Sequence, residues 1–302
     1  MKAVTVTGSG GPEVLRVTEV PDPEPGPGQV RVRVYAAGVQ PVDLAIREGF
    51  RPPGAVVEPP FVLGNEFAGV VDRLGPDGSG WQVGDEVLGF RFLDSQAGLV
   101  TVDAAQLVAK PAGMPWEQAG SLSASGQTAH LALTLLTVGP GDTVLVHGAS
   151  GGVGTVAVQL ARAWGATVIG TASERNHDHL RELGAIPVAY GEGLVERVRA
   201  VAPQGVDAAF DAAGRGALEA SVDLVADRDR IGTVVDYAGA ERLGVRRLRG
   251  ERTAARLAEL VALWEAGGLR LEVAETFPLE RAADAHRLVG TGHVRGKVVL
   301  TP

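Results

Sequence analysis

The chain of 302 residues contains no cysteine. That absence excludes disulfides, thiolate catalysis and every zinc site built on sulfur ligands, and it leaves the redox compartment unspecified. Lysine is nearly missing as well. Lys2, Lys110 and Lys297 are the only three, so the 28 basic residues are almost all arginine and arginine counts mean little by themselves. No run approaches the ~18 consecutive apolar residues of a membrane span. The opening residues 1–6 read as a strand, with no apolar region behind them of the kind a signal peptide needs. A formal charge of −8 argues against wholesale binding to nucleic acid or to an anionic membrane. Together these absences fit a cytoplasmic enzyme and exclude several other readings.

What is present is concentrated in residues 144–154, Val-Leu-Val-His-Gly-Ala-Ser-Gly-Gly-Val-Gly, an apolar strand that enters a glycine-rich turn and then a helix. Glycines at 148, 151 and 154 let the backbone turn tightly and bring its N–H groups to a pyrophosphate at a helix N-terminus. A lone glycine pattern is weak evidence, because such turns also join elements that bind nothing. Here the flanks add to it. Val153, Val156, Ala157, Leu160, Ala161 and Trp164 recur at helical spacing, Gly165 ends the helix, and residues 166–171 form a second β-branched run. Strand, turn, helix and strand make one βαβ unit that holds a dinucleotide, with Ser150, Gly151, Gly152, Val153 and Gly154 against it.

The organisation changes near residues 111–118. Before it, short alternating runs at 29–34, 69–72 and 99–102 are separated by glycine and proline, a partly open barrel pattern. The proline-rich 21–28 reads as a stiff loop between strands rather than a domain boundary. After it, strands and helices alternate: a helix at 176–183, a strand at 206–210, a helix at 218–225 and a strand at 231–235, which is a doubly wound α/β domain. From about 267 the chain returns to short strands, at 269–273 and 297–300, around one helix at 279–288. The expected division is therefore 1–118, 119–266 and 267–302, the last part rejoining the first.

The cofactor's identity turns on the end of the second strand. An acidic side chain about 20 residues past the turn binds the ribose 2′-OH of NAD. This chain places Ser173 there, followed by Glu174 and Arg175. Ser173 can donate to a 2′-phosphate and Arg175 can pair with it, which favours NADPH, whereas Glu174 turned inward favours NADH.

Several motifs in fixed order carry a wider resemblance. They are Gly-Val-Gln-Pro-Val-Asp at 38–43 with Leu-Ala-Ile-Arg-Glu-Gly after it, Gly-Asn-Glu-Phe-Ala-Gly at 64–69, Gly-Asp-Glu-Val at 84–87, Gly-Gln-Thr-Ala at 126–129, the glycine turn, and Gly-Lys-Val-Val-Leu at 296–300. Over essentially its whole length the chain resembles zinc-free medium-chain dehydrogenase/reductases of the quinone oxidoreductase, zeta-crystallin-like, subfamily. The resemblance implies a GroES-like substrate domain, split in sequence around a Rossmann domain. It also implies hydride transfer from NADPH to a quinone or an α,β-unsaturated carbonyl compound. Asn65 stands where zinc-dependent relatives carry a ligand histidine and Gln40 lies in the early ligand region, so no metal is expected. His177 and His179, two apart on a helix, are read as surface residues.

By the same resemblance Gln40 is the neutral hydrogen-bond donor to the substrate carbonyl, and Thr128 lies on the nicotinamide side. Tyr190 lies along the 2′-phosphoribose, and Ala213, Arg295 and Lys297 complete the cofactor contacts. Glu66 is expected behind the cleft, paired with an arginine such as Arg295. Plainer readings stand beside these. Gln40 and Asp43 also suit the cap of a helix starting at Pro41. Tyr237 lines the pocket or merely packs. Arg51, in the loop 50–54, meets a substrate together with Asn65 or is simply solvated. No tyrosines follow the first motif, Ala45 and Arg51 standing in their neighbourhoods, so no aromatic platform for a flat quinone is expected. The crowded Arg242, Arg246, Arg247, Arg249, Arg252 and Arg256 read as a solvated helix face, or else as a phosphate or RNA patch. Two other functions remain open on the residues: reduction of an enoyl thioester, and a chiefly nucleotide- or RNA-binding role. The resemblance further implies a homodimer joined through Rossmann sheet edges, with residues 231–235 as the expected edge and a shortened stretch around 239–250.

Overall fold

The computed structural model describes residues 1–52, 57–77 and 80–302. The expected loop 50–54 therefore lies partly outside the described residues. Two compact units account for the chain: 1–124 with 253–262 and 271–302, and 125–252 with 263–270.

The first unit is built on the strand Gln29–Val39, whose alternating valines Val30, Val32 and Val34 are buried. It is long enough to serve two sheets' worth of partners. Residues 30–36 pair antiparallel with Glu66–Leu74 and 29–33 with Leu99–Asp103, while 37–39 pair with Lys297–Thr301. Register shifts after Arg31 and Val34 bend it between these partners. The full path is 273–278, 297–301, 29–39, 66–74, 86–90 and 107–109, with a separate three-stranded sheet formed by 15–19, 2–6 and 61–62. Phe67, Val71, Val87, Val100 and Leu107 fill one core. Val4, Val6, Ile46, Leu63, Phe277 and Leu300 fill a second.

The expected strand at 269–273 begins only at Val273. Arg270 just before it exchanges both backbone groups with the side chain of Gln159, at 2.8 and 3.0 Å, so a side-chain amide replaces a strand partner there.

The second unit carries a six-stranded parallel sheet, ordered Ile186–Ala189, Thr167–Ala172, Thr143–His147, Ala208–Asp211, Ile231–Thr233 and Arg246–Arg247. This is the doubly wound order, with the order reversing beside Thr143–His147. The strand expected over 231–235 stops at Thr233, whose Oγ1 accepts the N–H groups of Val235 and Asp236 at 3.0 Å and turns the chain away. Nor is it the edge. The two-residue strand Arg246–Arg247 pairs outside it and takes that position.

Candidate active site

The turn after Thr143–His147 is closed by its glycines. Gly148 has φ +70°, open to glycine at little cost, and a Cβ on Gly154 would lie 2.1 Å from the Gly148 carbonyl oxygen. The helix Gly152–Ala163 then starts with no side-chain cap, so its first N–H groups are left for an anion. Val156, Ala157, Leu160 and Ala161 bury its inner face, as the spacing predicts. A Cβ on Gly151 would meet nothing nearer than the Gly148 oxygen at 3.4 Å, so the cradle is roomy where a phosphate would sit.

Ser173 follows Thr167–Ala172 directly, and Tyr190 follows Ile186–Ala189. Because Ala172 and Ala189 are register partners, Ser173 and Tyr190 leave neighbouring parallel strands at the same level. Tyr190 is 56% exposed, and Arg175 is exposed as well. Asn176 links this strand end to the glycine turn, its Nδ2 donating to Ser150 Oγ at 3.0 Å and to Ser173 Oγ at 3.3 Å.

Beneath the loops runs a buried polar row that the sequence did not reveal. His147 is in register with Thr171 on one side and Asp211 on the other, and Asp211 with Thr233. Thr171 Oγ1 accepts Gly148 N–H at 3.3 Å and lies 3.3 Å from His147 Nδ1, while His147 Nε2 lies 3.0 Å from Ser221 Oγ. Asp211 accepts the N–H groups of Ala213 and Gly214 at 2.8 Å, and the Thr233 hydroxyl at 2.8 Å. Thr171, Asp211 and Thr233 thus each tie down the loop that follows their own or a neighbouring strand, while His147 reaches Ser221 in the helix Ala217–Leu224. Burial pushes His147 down to about 4, the Asp211 charge opposing it, so the ring is neutral at physiological pH.

In the first unit the polar residues gather on Glu66 and Asp43. Gln40 follows the strand Gln29–Val39 as the N-cap of the helix Pro41–Arg47; its Nε2 donates to Glu66 Oε1. Glu66 Oε2 accepts Ala124 N–H at 2.6 Å, and Lys297 Nζ lies 3.3 Å from Oε1. Asp43 accepts Gln40 N–H at 2.8 Å, Asn65 Nδ2 at 3.3 Å and Gln96 Nε2 at 3.4 Å. Burial pushes Asp43 up to about 7, the backbone N–H of Gln40 opposing it. The cap reading of Asp43 and the donor reading of Gln40 are therefore compatible.

Other expectations need correction. Glu66 takes Lys297, not Arg295, because Gly296 at φ +85° turns the chain and leaves Arg295 on Glu272 at 2.7 Å. Arg51 is half-buried, and its guanidinium is engaged locally: it donates to the carbonyls of Ile46, Phe50 and Val57, each at 3.0 Å. The arginine-rich segment is no single helix face. Arg242 lies in the helix Tyr237–Leu243, Arg246 and Arg247 form the edge strand, and Arg256 lies in the helix Ala254–Glu265. Arg249 covers the Tyr237 ring at 4.1 Å, and Arg246 donates to the Leu135 carbonyl. His177 and His179 are half-buried on their helix. Thr128 sits half-buried on the helix Trp116–Leu135, and Tyr237 opens its helix behind the cap of Asp236.

A model of the alcohol dehydrogenase GroES-like domain matches residues 26–121, and a zinc-binding dehydrogenase model matches 183–300. The 2-haloacrylate reductase of a Burkholderia species is 34% identical over 335 residues, covering 99% of this chain and 98% of that protein. The chain belongs to the medium-chain dehydrogenase/reductase family. Among solved structures, the Escherichia coli quinone oxidoreductase complexed with NADPH superposes with a TM-score of 0.88 at 27% identity, each chain covered in full. A pikromycin polyketide synthase component of Streptomyces venezuelae is 36% identical over 288 residues, 89% of this chain and 8% of that much longer protein. As a member of the family, the chain is an oxidoreductase with a GroES-like part and a Rossmann part. Although one matching model is named for zinc, no three His, Cys, Asp or Glu side chains among the described residues are grouped to hold a metal.

Proposed function

We propose that the chain is an NADPH-dependent, zinc-independent reductase that delivers hydride to a quinone or an α,β-unsaturated carbonyl compound. The observation that carries this reading is the strand end at Ser173. A hydroxyl stands where NAD-dependent relatives need a carboxylate, tied through Asn176 to the glycine turn and level with Tyr190. The NADPH complex of a structural neighbour and the haloacrylate reductase relative support it.

When bound, the dinucleotide supplies the hydride. The chain's own residues bind and orient. The uncapped N–H groups of 152–154 face the pyrophosphate, with Ser150 and Gly151 in the turn beside it, while Ser173, Arg175 and Tyr190 take the phosphorylated ribose. Ala213 follows the next strand, and Thr128 and Tyr237 serve the nicotinamide side. Gln40 donates to the carbonyl oxygen on which negative charge builds. One of its amide hydrogens is taken by Glu66, which fixes the orientation of the amide and leaves the other hydrogen to the substrate. Asn65 lines the same polar cluster, and water delivers the final proton. The ligand set is wrong for zinc, with Gln40 and Asn65 at the places where ligands would be. Following NADPH absorbance against a panel of quinones and small enones tests the reading; no turnover across the panel overturns it.

A second reading, reduction of an enoyl thioester, is favoured by the similarity to a polyketide synthase component. Competition between an enoyl-CoA and a small enone separates the two. We further propose a cytoplasmic homodimer that uses the outer edge of the parallel sheet, at Arg246–Arg247. Sedimentation tests the dimer.

A further inference from the structure

Asn176 directly precedes the helix His177–Glu182, a place where asparagine ordinarily caps the helix with its side-chain oxygen. Here it makes no cap bond. Its amide nitrogen reaches away from the helix, to Ser150 Oγ at 3.0 Å and Ser173 Oγ at 3.3 Å. Those two hydroxyls come from different places, one from the glycine turn and one from the end of the neighbouring strand.

An amide nitrogen has two hydrogens and accepts nothing. Both serine oxygens are therefore acceptors in this bridge, and each serine keeps its own proton to donate. Among the described residues neither hydroxyl donates to a protein acceptor. Two oriented O–H donors without acceptors, half-buried and beside exposed Arg175, suit a phosphate dianion better than a ribose diol, which would itself bring hydrogens. A carboxylate at the same place would reverse the bridge, drawing both serine protons inward.

We propose that Asn176 is the positioning residue that sets preference for a 2′-phosphorylated dinucleotide, by turning the hydroxyls of Ser150 and Ser173 into outward donors. The inference rests on the NADPH reading above and names the residue that enforces it.

The test is titration calorimetry of NADPH, NADH, 2′-AMP and 5′-AMP against the wild-type chain, Asn176→Ala and the near-isosteric Asn176→Asp, with thermal melts confirming that each is folded. The wild type should bind NADPH and 2′-AMP better than their partners. Both variants should weaken these two ligands roughly ten-fold or more, the cost of losing a hydrogen bond to a charged group. NADH and 5′-AMP should change less than about two-fold, which a merely structural role for Asn176 would not produce. Should Asn176→Ala fail to fold, Asn176→Asp carries the comparison. A wild-type preference for NADPH that survives in the folded variants overturns the role of Asn176 alone. A wild type that binds NADPH and NADH equally overturns the cofactor reading and this inference with it.

Discussion

Lys297 Nζ lies 3.3 Å from Glu66 Oε1, and both side chains are sealed from solvent. Buried pairs gain little over an apolar pair but lose much when halved. Lys297→Met should therefore cost about 3–5 kcal/mol, because it strands the Glu66 charge. Adding Glu66→Gln to it should recover part of the loss, and urea unfolding of the two single variants and the double variant measures the difference. Additive costs would mean that the pair is not coupled.

Gln40→Leu removes the proposed donor to the substrate oxygen while keeping a side chain of similar size. The expected result is a fall of about 10² in kcat, the scale seen when one oxyanion donor is lost. NADPH affinity should be unchanged. Steady-state kinetics with an active quinone or enone, and calorimetry with NADPH, read the two halves; an unchanged kcat removes Gln40 from the chemistry.

Gly154→Val places carbon against the Gly148 carbonyl, where even a Cβ has only 2.1 Å. The turn must open, so dinucleotide binding should be lost and the melting temperature should drop. Gly151→Ala meets only the Gly148 oxygen at 3.4 Å and should keep the fold while weakening NADPH. Calorimetry and thermal melts on both variants distinguish a closed cradle from an ordinary turn.

Asp211 accepts two loop N–H groups and the Thr233 hydroxyl while fully buried. Asp211→Ala strands three donors and should cost several kcal/mol, each unmet buried donor costing about 1–3. Hydrogen exchange should quicken at Ala213 and Gly214 and, through Thr233, at Val235 and Asp236. Unchanged exchange at these four amides would show that the carboxylate does not organise the loops.

Stability should be greatest near pH ~6.5, the ordinary histidine value. His147 and His286, pushed down by burial to about 4 and about 3, bind protons in the unfolded chain first, so the fold weakens as pH falls from that value towards about 4. Asp43, pushed up to about 7, acts oppositely: its contribution is full below its unfolded pKa and is lost as pH rises to about 7. Two histidines outweigh one aspartate on the acid side, and above the histidine value only the Asp43 slope remains. Melting temperatures from pH 4 to 8 should show that maximum, with a shallower acid limb in His286→Gln. A melting temperature that rises on acidification below pH ~6 would contradict the balance of these three groups.

The βαβ unit was legible because its signals are local: glycine at three turn positions and an apolar stripe with helical period. Split organisation was legible for a similar reason, since alternating valines gave way to strands alternating with helices. The Glu66–Lys297 pair was not. Its members are 231 residues apart, and only the left-handed turn at Gly296 decides that Lys297 rather than Arg295 faces the carboxylate. The row of His147, Thr171, Asp211 and Thr233 was hidden likewise, because it exists only in the register between parallel strands. Thr233 could have warned of the early strand end, a threonine just before a turn being able to bond the next two N–H groups.

Quinones and enones are electrophiles that add to thiols and to free amines. A chain without cysteine offers them no thiol, and the burial of Lys110 beside Glu86 and of Lys297 beside Glu66 removes two of its three lysine amines from reach. Lys2 alone remains exposed, in an ion pair with Glu280. An enzyme of this composition can work in a high concentration of its proposed substrates with no thiol to be alkylated, and with a single lysine side chain open to attack.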